Sequence, residues 1–155
     1  TGTVESMLAP LLATVILAQP QRLTTFDQMM TALKSGREVR VVVEYAKTTL
    51  LIDGKEEQAP EAIGGMKLDA WEYFAKGVIR NDKAYVACSH TVLIAHPRYG
   101  HVYNYVRFRI YEDNSVEITA RYLTTDKYEV VMDEIFRGKI TNGKDKEGVA
   151  LFAAG

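Results

Sequence analysis

Residues 102–123 read VYNYVRFRIYEDNSVEITARYL and decide the fold of this chain. Apolar side chains recur at alternate positions of both arms, interrupted at Asn104, and this is the period of a β-strand. In the first arm Val106, Phe108 and Ile110 share one face, and Arg107 and Arg109 share the other. The intervening residues 112–115, EDNS, have the composition of a turn. The stretch therefore predicts an antiparallel pair of strands, each with one apolar and one wet face.

Further strand patterns lie on both sides of this pair. Residues 39–45 alternate, residues 48–52 are β-prone, and Asp53-Gly54 is a strong hairpin dipeptide. Residues 56–65 predict a loop, whereas residues 84–95 are apolar on both sides, as in a central strand covered on each face. With residues 128–136 and 149–153, the pattern predicts an α+β, mainly β fold. We expect an antiparallel barrel or a strongly bent sheet of about seven or eight strands, with one or two N-terminal helices.

One or two helices are predicted before the first long strand. Thr24 or Thr25 is suited to cap a helix whose apolar face includes Phe26 and Met29, and Gly36 suits its end. Residues 7–18, MLAPLLATVILA, are too short to span a bilayer. They fit a packed amphipathic helix, a helix that contacts a partner or a membrane, or the apolar part of a signal peptide. We assign residues 1–22 to an apolar helical segment and residues 23–155 to one β-rich domain. Self-association through the helix would use Leu8, Leu11, Leu12 and Val15.

Charge and glycine placement exclude several classes of function. The 19 basic and 20 acidic residues give a net charge of -1, so the basic excess that nucleic-acid binding needs is absent. The pairs Gly64-Gly65 and Asn142-Gly143 lack the strand-loop-helix context of a phosphate-binding loop. We expect neither a nucleic-acid partner nor a cofactor.

Cys88, His90 and His96 share parity on one predicted strand and are weak candidates for a metal site. Neighbours two positions apart are about 6–7 Å apart along a strand, which makes shared ligation difficult. Cys88 and His90 could also form a nucleophile and base, but no oxyanion-stabilising element is visible. The alternative is that Cys88 is a buried thiol and that the histidines have neither a catalytic nor a metal-binding role. We therefore predict no catalytic residue and favour a protein without enzymatic activity, although the sequence leaves an enzyme open.

The wet face of the best-defined strand is the strongest candidate for a binding site. It carries Tyr103, Tyr105, Arg107 and Arg109, with Arg121 available from the next strand. Tyrosine and arginine provide rigid contact area and hydrogen bonds, and they can bind anions or aromatic ligands. The alternative to a binding site is a solvent-exposed sheet face with cross-strand ion pairs, such as Arg107 or Arg109 with Glu117.

Several pieces in this order resemble a known family. They are the helix at residues 26–36, the strand that follows it, Gly64-Gly65-Met66, the segment Ala87-Cys88-Ser89-His90, and a Tyr-rich strand ending in an Asp-Asn-Ser turn. Over residues 23–152 this order looks like the VirK-like family of small secreted domains. The resemblance implies secretion and a helix-plus-barrel fold, and it implies no catalytic residues. We therefore expect a secreted, non-enzymatic binding domain; the alternative is a small-ligand carrier with a lipocalin-like β-barrel cavity.

Overall fold

The structure is a computed structural model that describes residue 2 and residues 18–155. The apolar segment at residues 7–18, apart from Ala18, lies outside the described residues, as do the side chains through which self-association was predicted. The elements follow in chain order: β1 (Gln21–Leu23), α1 (Phe26–Lys34), β2 (Val39–Glu44), a 3-10 turn (Tyr45–Lys47), β3 (Thr49–Ile52), β4 (Lys55–Gln58), β5 (Ile63–Lys67), β6 (Trp71–Phe74), β7 (Tyr85–His96), β8 (Gly100–Tyr111), β9 (Ser115–Thr124), β10 (Val130–Lys139) and β11 (Val149–Ala153).

Helix α1 confirms the predicted cap and apolar face. The Thr25 hydroxyl accepts a hydrogen bond from the Gln28 amide at 3.2 Å, which satisfies a backbone donor that the first turn leaves free. Phe26 and Met29 are buried, and Gly36 follows the helix with a φ of 78°. None of the helices in the described part of the chain could cross a membrane.

The smaller sheet has four antiparallel strands in the order β1-β11-β2-β5. Its strand β2 alternates fully, with Val39, Val41 and Val43 buried between exposed neighbours. Strand β11 lies between β1 and β2, so it joins two segments that come more than a hundred residues earlier in the chain. Helix α1 contacts β1, β2 and β11 of this sheet.

The larger sheet has seven antiparallel strands in the order β4-β3-β10-β9-β8-β7-β6. Its centre is the meander β7 to β10, whose β8–β9 hairpin confirms the pair predicted from residues 102–123. The terminal strands, β4 and β6, do not pair with one another, so residues 18–155 form no closed barrel. The predicted barrel is therefore wrong, and the predicted count of seven or eight strands is too low.

The main core lies between the two sheets and under α1, and side chains fill it. Its most buried members come from both sheets and the helix; they are Leu23, Met29, Val39, Val41, Val43, Val86, Ile110, Val116, Ile118, Val149 and Leu151. The lipocalin-like cavity of the carrier hypothesis required a barrel interior, and the open two-sheet architecture has none in the described residues.

Two further local predictions are wrong. The predicted loop at residues 56–65 contains the end of β4 and the start of β5, because pairing with β3 and β2 overrides its polar and glycine-rich composition. The strand at residues 84–95 was predicted to be central and covered. Strand β7 is buried only near its beginning, whereas Val92 and Leu93 are exposed, and β6 pairs with it over residues 85–88 alone.

Candidate ligand-binding face

The candidate site lies on the face of the larger sheet that points away from the core. Strand β8 places Tyr103, Tyr105, Arg107 and Arg109 there, because alternate residues of a strand share a face. Arg121 of β9 lies directly opposite Tyr105 in the antiparallel register and joins the same face. We call these five residues the Tyr/Arg face.

Ion pairs on this face leave two of its arginines without an acidic partner. Arg121 Nε lies 3.0 Å from Asp133 Oδ1. Glu117 lies opposite Arg109 in the register, but its ion pair, at 3.9 Å, is with Arg137 of β10. The predicted pair between Glu117 and Arg107 or Arg109 is therefore wrong. Neither of these two guanidiniums lies within 4.0 Å of a carboxylate in the described part of the chain.

Arg107 and Arg109 are also incompletely hydrogen-bonded. Arg107 Nη2 donates to Thr119 Oγ1 at 3.2 Å, and Thr119 is buried. The Arg109 guanidinium lies 5.1 Å from the centre of the Tyr85 ring, over its face. The Nε atoms of both arginines are buried and have no acceptor among the described residues. Each therefore holds a charged donor that the described residues leave unused.

Aromatic rings flank the two arginines on either side. At one end Tyr103 stacks with Tyr128, with ring centres 6.1 Å apart and planes at 24°. At the other end Tyr85 packs against Tyr111 at 5.6 Å, and the Lys83 ammonium lies 4.7 Å from the Tyr111 ring centre. These contacts pair the rings with one another at both ends of the face.

Two surface cavities adjoin the arginines. The larger, of about 680 Å³, has Arg109, Tyr85, Tyr111 and Lys83 among its lining residues, together with Glu117. The smaller, of about 390 Å³, is lined by Arg107 together with residues of β6, β7 and the preceding turn; these are Ala70, Trp71, Glu72, Ala87, Cys88 and Ser89. Each arginine thus borders a concave space, as a ligand site requires.

The structure does not bring the cysteine and histidine candidates together. Burial raises the pKa of the Cys88 thiol, whose Sγ lies 3.9 Å from the Lys67 carbonyl oxygen, so the thiol is not activated as a nucleophile. His90 is exposed, and His96 Nδ1 accepts hydrogen bonds from the backbone of the adjacent turn. The third histidine of the chain, His101, lies on the opposite face of the sheet. Within the described residues no three His, Cys, Asp or Glu side chains could share a metal ion.

Sequence reasoning missed three contributors to the surroundings of the site. Tyr85 and Trp71 come from β7 and β6, and Lys83 comes from the segment before β7. Tyr85 has the parity that a face shared with Arg109 requires, but only the β7–β8 register reveals that they are neighbours. Thr119 was not missed: its position in the second arm places it on the same predicted face, and in the structure it accepts the hydrogen bond from Arg107.

Comparison with known proteins gives a family and a fold. The family model described as VirK protein matches residues 22–128. The crystal structure of a VirK family protein from Legionella pneumophila is similar, with a TM-score of 0.64 and 18% sequence identity. The similarity covers 84% of this chain and 98% of that one. A search of curated proteins found no match.

Proposed function

This chain belongs to the VirK family, and from that premise we propose that it is a non-enzymatic binding domain that takes an anionic ligand on its Tyr/Arg face. The ligand would be a small molecule, or a group on a larger surface, that carries a carboxylate or a phosphate. One observation carries the proposal: Arg107 and Arg109 lie side by side on β8 with buried Nε donors and no acidic partner among the described residues.

A buried donor without an acceptor costs about 1–3 kcal/mol, and more when it is charged. The nearest acidic candidate across β7 is Glu72, which the register places two strands from Arg109, about 10 Å away by strand spacing. Glu117 is already shared with Arg137. An anion entering through the cavities beside Arg107 and Arg109 would offer these guanidinium groups the acceptors that the described residues do not supply. Because both Nε atoms are buried, direct contact with them requires neighbouring side chains to shift.

The chemistry of the two side chains favours oxyanions. Guanidinium groups bind carboxylates and phosphates through paired N–H donors, and they do so better than ammonium groups because the fork is planar and fixed. Two residues apart on one strand, the two arginines are about 7 Å apart at their Cα atoms, which allows one anion to receive donors from both. The tyrosines at either end offer rigid rings to any flat apolar part of the ligand.

The proposal is for binding and not for catalysis. An activated cysteine needs a lowered pKa and a base in contact with it. Cys88 instead has a raised pKa, and His90, its nearest histidine along the chain, is exposed on the sheet surface. The phosphate is not expected to belong to a nucleic acid, because the net charge of -1 lacks the basic excess that nucleic-acid binding uses. We place the domain outside the cytoplasm, as the resemblance to secreted domains implies, and cell fractionation would test that location.

The test is a titration with citrate or inorganic phosphate, followed through the side-chain Nε–H resonances of the arginines by NMR at constant ionic strength. We expect the Arg107 and Arg109 resonances to shift saturably, and chloride to leave them unmoved. Arg107→Met and Arg109→Met should each weaken the response, whereas Arg98→Met, at an exposed turn, should preserve it. Equal weakening in all three variants, or no saturable shift with either anion, would contradict the proposal.

A further inference from the structure

One long stretch of strand edge has no neighbour in the described structure. Strand β7 has twelve residues, and β8 pairs with one of its edges along the whole length. At the other edge, β6 pairs only with residues 85–88. Residues 89–96 of β7, which we call the free edge segment, extend about 26 Å at the usual strand rise. Most of its side chains are exposed, and Leu93 is 57% exposed.

The free edge segment lacks the features that keep strand edges from pairing. Its sequence, SHTVLIAH, contains no Lys, Arg, Asp, Glu or Pro, and three of its residues are β-branched. Natural proteins protect edges with charges, prolines, bulges or short strands. The β7–β8 register runs from residue 85 to residue 96 without a shift, so no bulge turns the edge away.

The other described edges carry such protection. Strand β1 has three residues, and β4 reads KEEQ. Strand β5 ends at Lys67, and β6, the terminal strand of the larger sheet, has four residues and contains Glu72. The uncovered part of β10, residues 130–134, carries Asp133 and Glu134, and its pairing with β9 shifts register between Val130 and Met132. Among residues 18–155, the free edge segment is thus the long edge left without protection.

We propose that the free edge segment pairs antiparallel with the same segment of a second copy of this chain. A two-fold axis perpendicular to the sheet keeps each face continuous, so every residue meets one of the same parity. With the axis at Val92, Thr91 meets Leu93 of the second copy; with the axis at Leu93, Val92 meets Ile94. Neither register opposes two Lys, Arg, Asp or Glu side chains from the segment, although the axis at Leu93 places His90 opposite His96. Like-charge repulsion between such residues therefore does not oppose self-pairing.

The acidic residues of β10, Asp133 and Glu134, explain why the pairing stops at a dimer. Head-to-tail growth would join the free edge segment of one copy to residues 130–134 of the next, and heterologous contacts of this kind extend into filaments. The carboxylates and the register shift of β10 oppose that contact. The two-fold pair instead joins the seven strands of each copy into one sheet, with both Tyr/Arg faces on the same side.

The test is sedimentation velocity of the full chain over a wide range of concentration. We expect a concentration-dependent dimer. The double variant Thr91→Lys/Leu93→Lys places lysine opposite lysine in either register and should raise the dimer dissociation constant about tenfold or more. Both residues are exposed, so the fold should survive, and the near-UV circular dichroism should match that of the parent chain.

The matched control is Ile63→Lys/Val78→Lys, which adds the same two charges at exposed positions outside β7 and should leave the dimer intact. Hydrogen exchange gives a second measure: alternate amides of residues 89–96 should gain protection as the dimer forms, and the Thr91→Lys/Leu93→Lys variant should lose that gain. A monomer at every concentration, or a dimer that Thr91→Lys/Leu93→Lys leaves unchanged, would overturn the proposal.

Discussion

Replacing Arg107 by methionine should leave the free protein as stable as before, or more stable, although it removes a charged side chain and a hydrogen bond. The expectation follows from the two ends of this side chain. Nη2 donates to the buried Thr119 hydroxyl, whereas the buried Nε has no acceptor among the described residues. Methionine keeps the stem of the side chain, so most of its packing is preserved.

The magnitude follows from three contributions. The lost hydrogen bond to Thr119 costs about 1 kcal/mol, and somewhat more because its donor is charged. Removing a buried charged donor without an acceptor returns about 1–3 kcal/mol. Retained packing contributes little in either direction. The free energy of unfolding should therefore change by between zero and about 1.5 kcal/mol, in the stabilising direction.

The assay is urea unfolding of the ligand-free protein, with Arg121→Met as the comparison. That variant breaks the surface ion pair with Asp133 and should destabilise the fold by about 0.2–1 kcal/mol. The two substitutions are the same chemical change on the same face, and we predict that Arg121→Met destabilises the fold whereas Arg107→Met does not. If Arg107→Met destabilises the protein by more than Arg121→Met does, the Arg107 guanidinium is already satisfied in the free protein and is not held ready for a ligand.

Three further predictions concern the rest of the molecule. The pKa of Asp113 is lowered to about 2 by Lys83 and by the Ser115 hydroxyl, so its contribution to stability is full above about pH 4 and is lost as the pH falls towards 2. Because both Asp113 and Lys83 are partly exposed, Asp113→Asn should cost about 1 kcal/mol at pH 7 and flatten the acid limb of urea-measured stability; an unchanged limb would exclude this role. Ile118→Ala removes a fully buried side chain and should cost about 2–5 kcal/mol by the same urea assay, and a cost below 1 would mean that the core collapses around the gap. Cys88 should react with a thiol reagent at neutral pH far more slowly in the native than in the unfolded protein; equal rates would show that the thiol is accessible.

Local signals predicted the parts of the fold that local interactions determine. The β8–β9 pair and α1 have strong periodicity and their own turn or cap, and Asp53-Gly54 adopts positive φ at both positions, as a tight hairpin requires. The errors concern where strands find partners. Composition could not reveal that β6 stops after four residues, or that residues 63–67 pair with β2 instead of forming a loop, because both depend on contacts between distant parts of the chain.

The candidate site shows the same division. The parity of β8 put four of its residues on one face from the sequence alone. The fact that matters most to the proposal, that Glu117 turns to Arg137 and leaves Arg109 without a carboxylate, depends on β10 lying beside β9. Comparing charges within the β8–β9 hairpin alone could not have predicted the pair between Glu117 and Arg137, because Arg137 belongs to β10.

The position of β11 also has a consequence for the order in which the protein can assemble during synthesis. The meander β7 to β10 joins consecutive strands by short turns, so it can form as soon as it leaves the ribosome. The smaller sheet cannot, because β11, the last described strand to be made, lies between β1 and β2. Until residue 153 emerges, β2 can pair with β5, but its other edge has no β11 to pair with. The nascent chain thus passes through a state in which one sheet is built and the other is not, and that interval is when it most needs protection from aggregation.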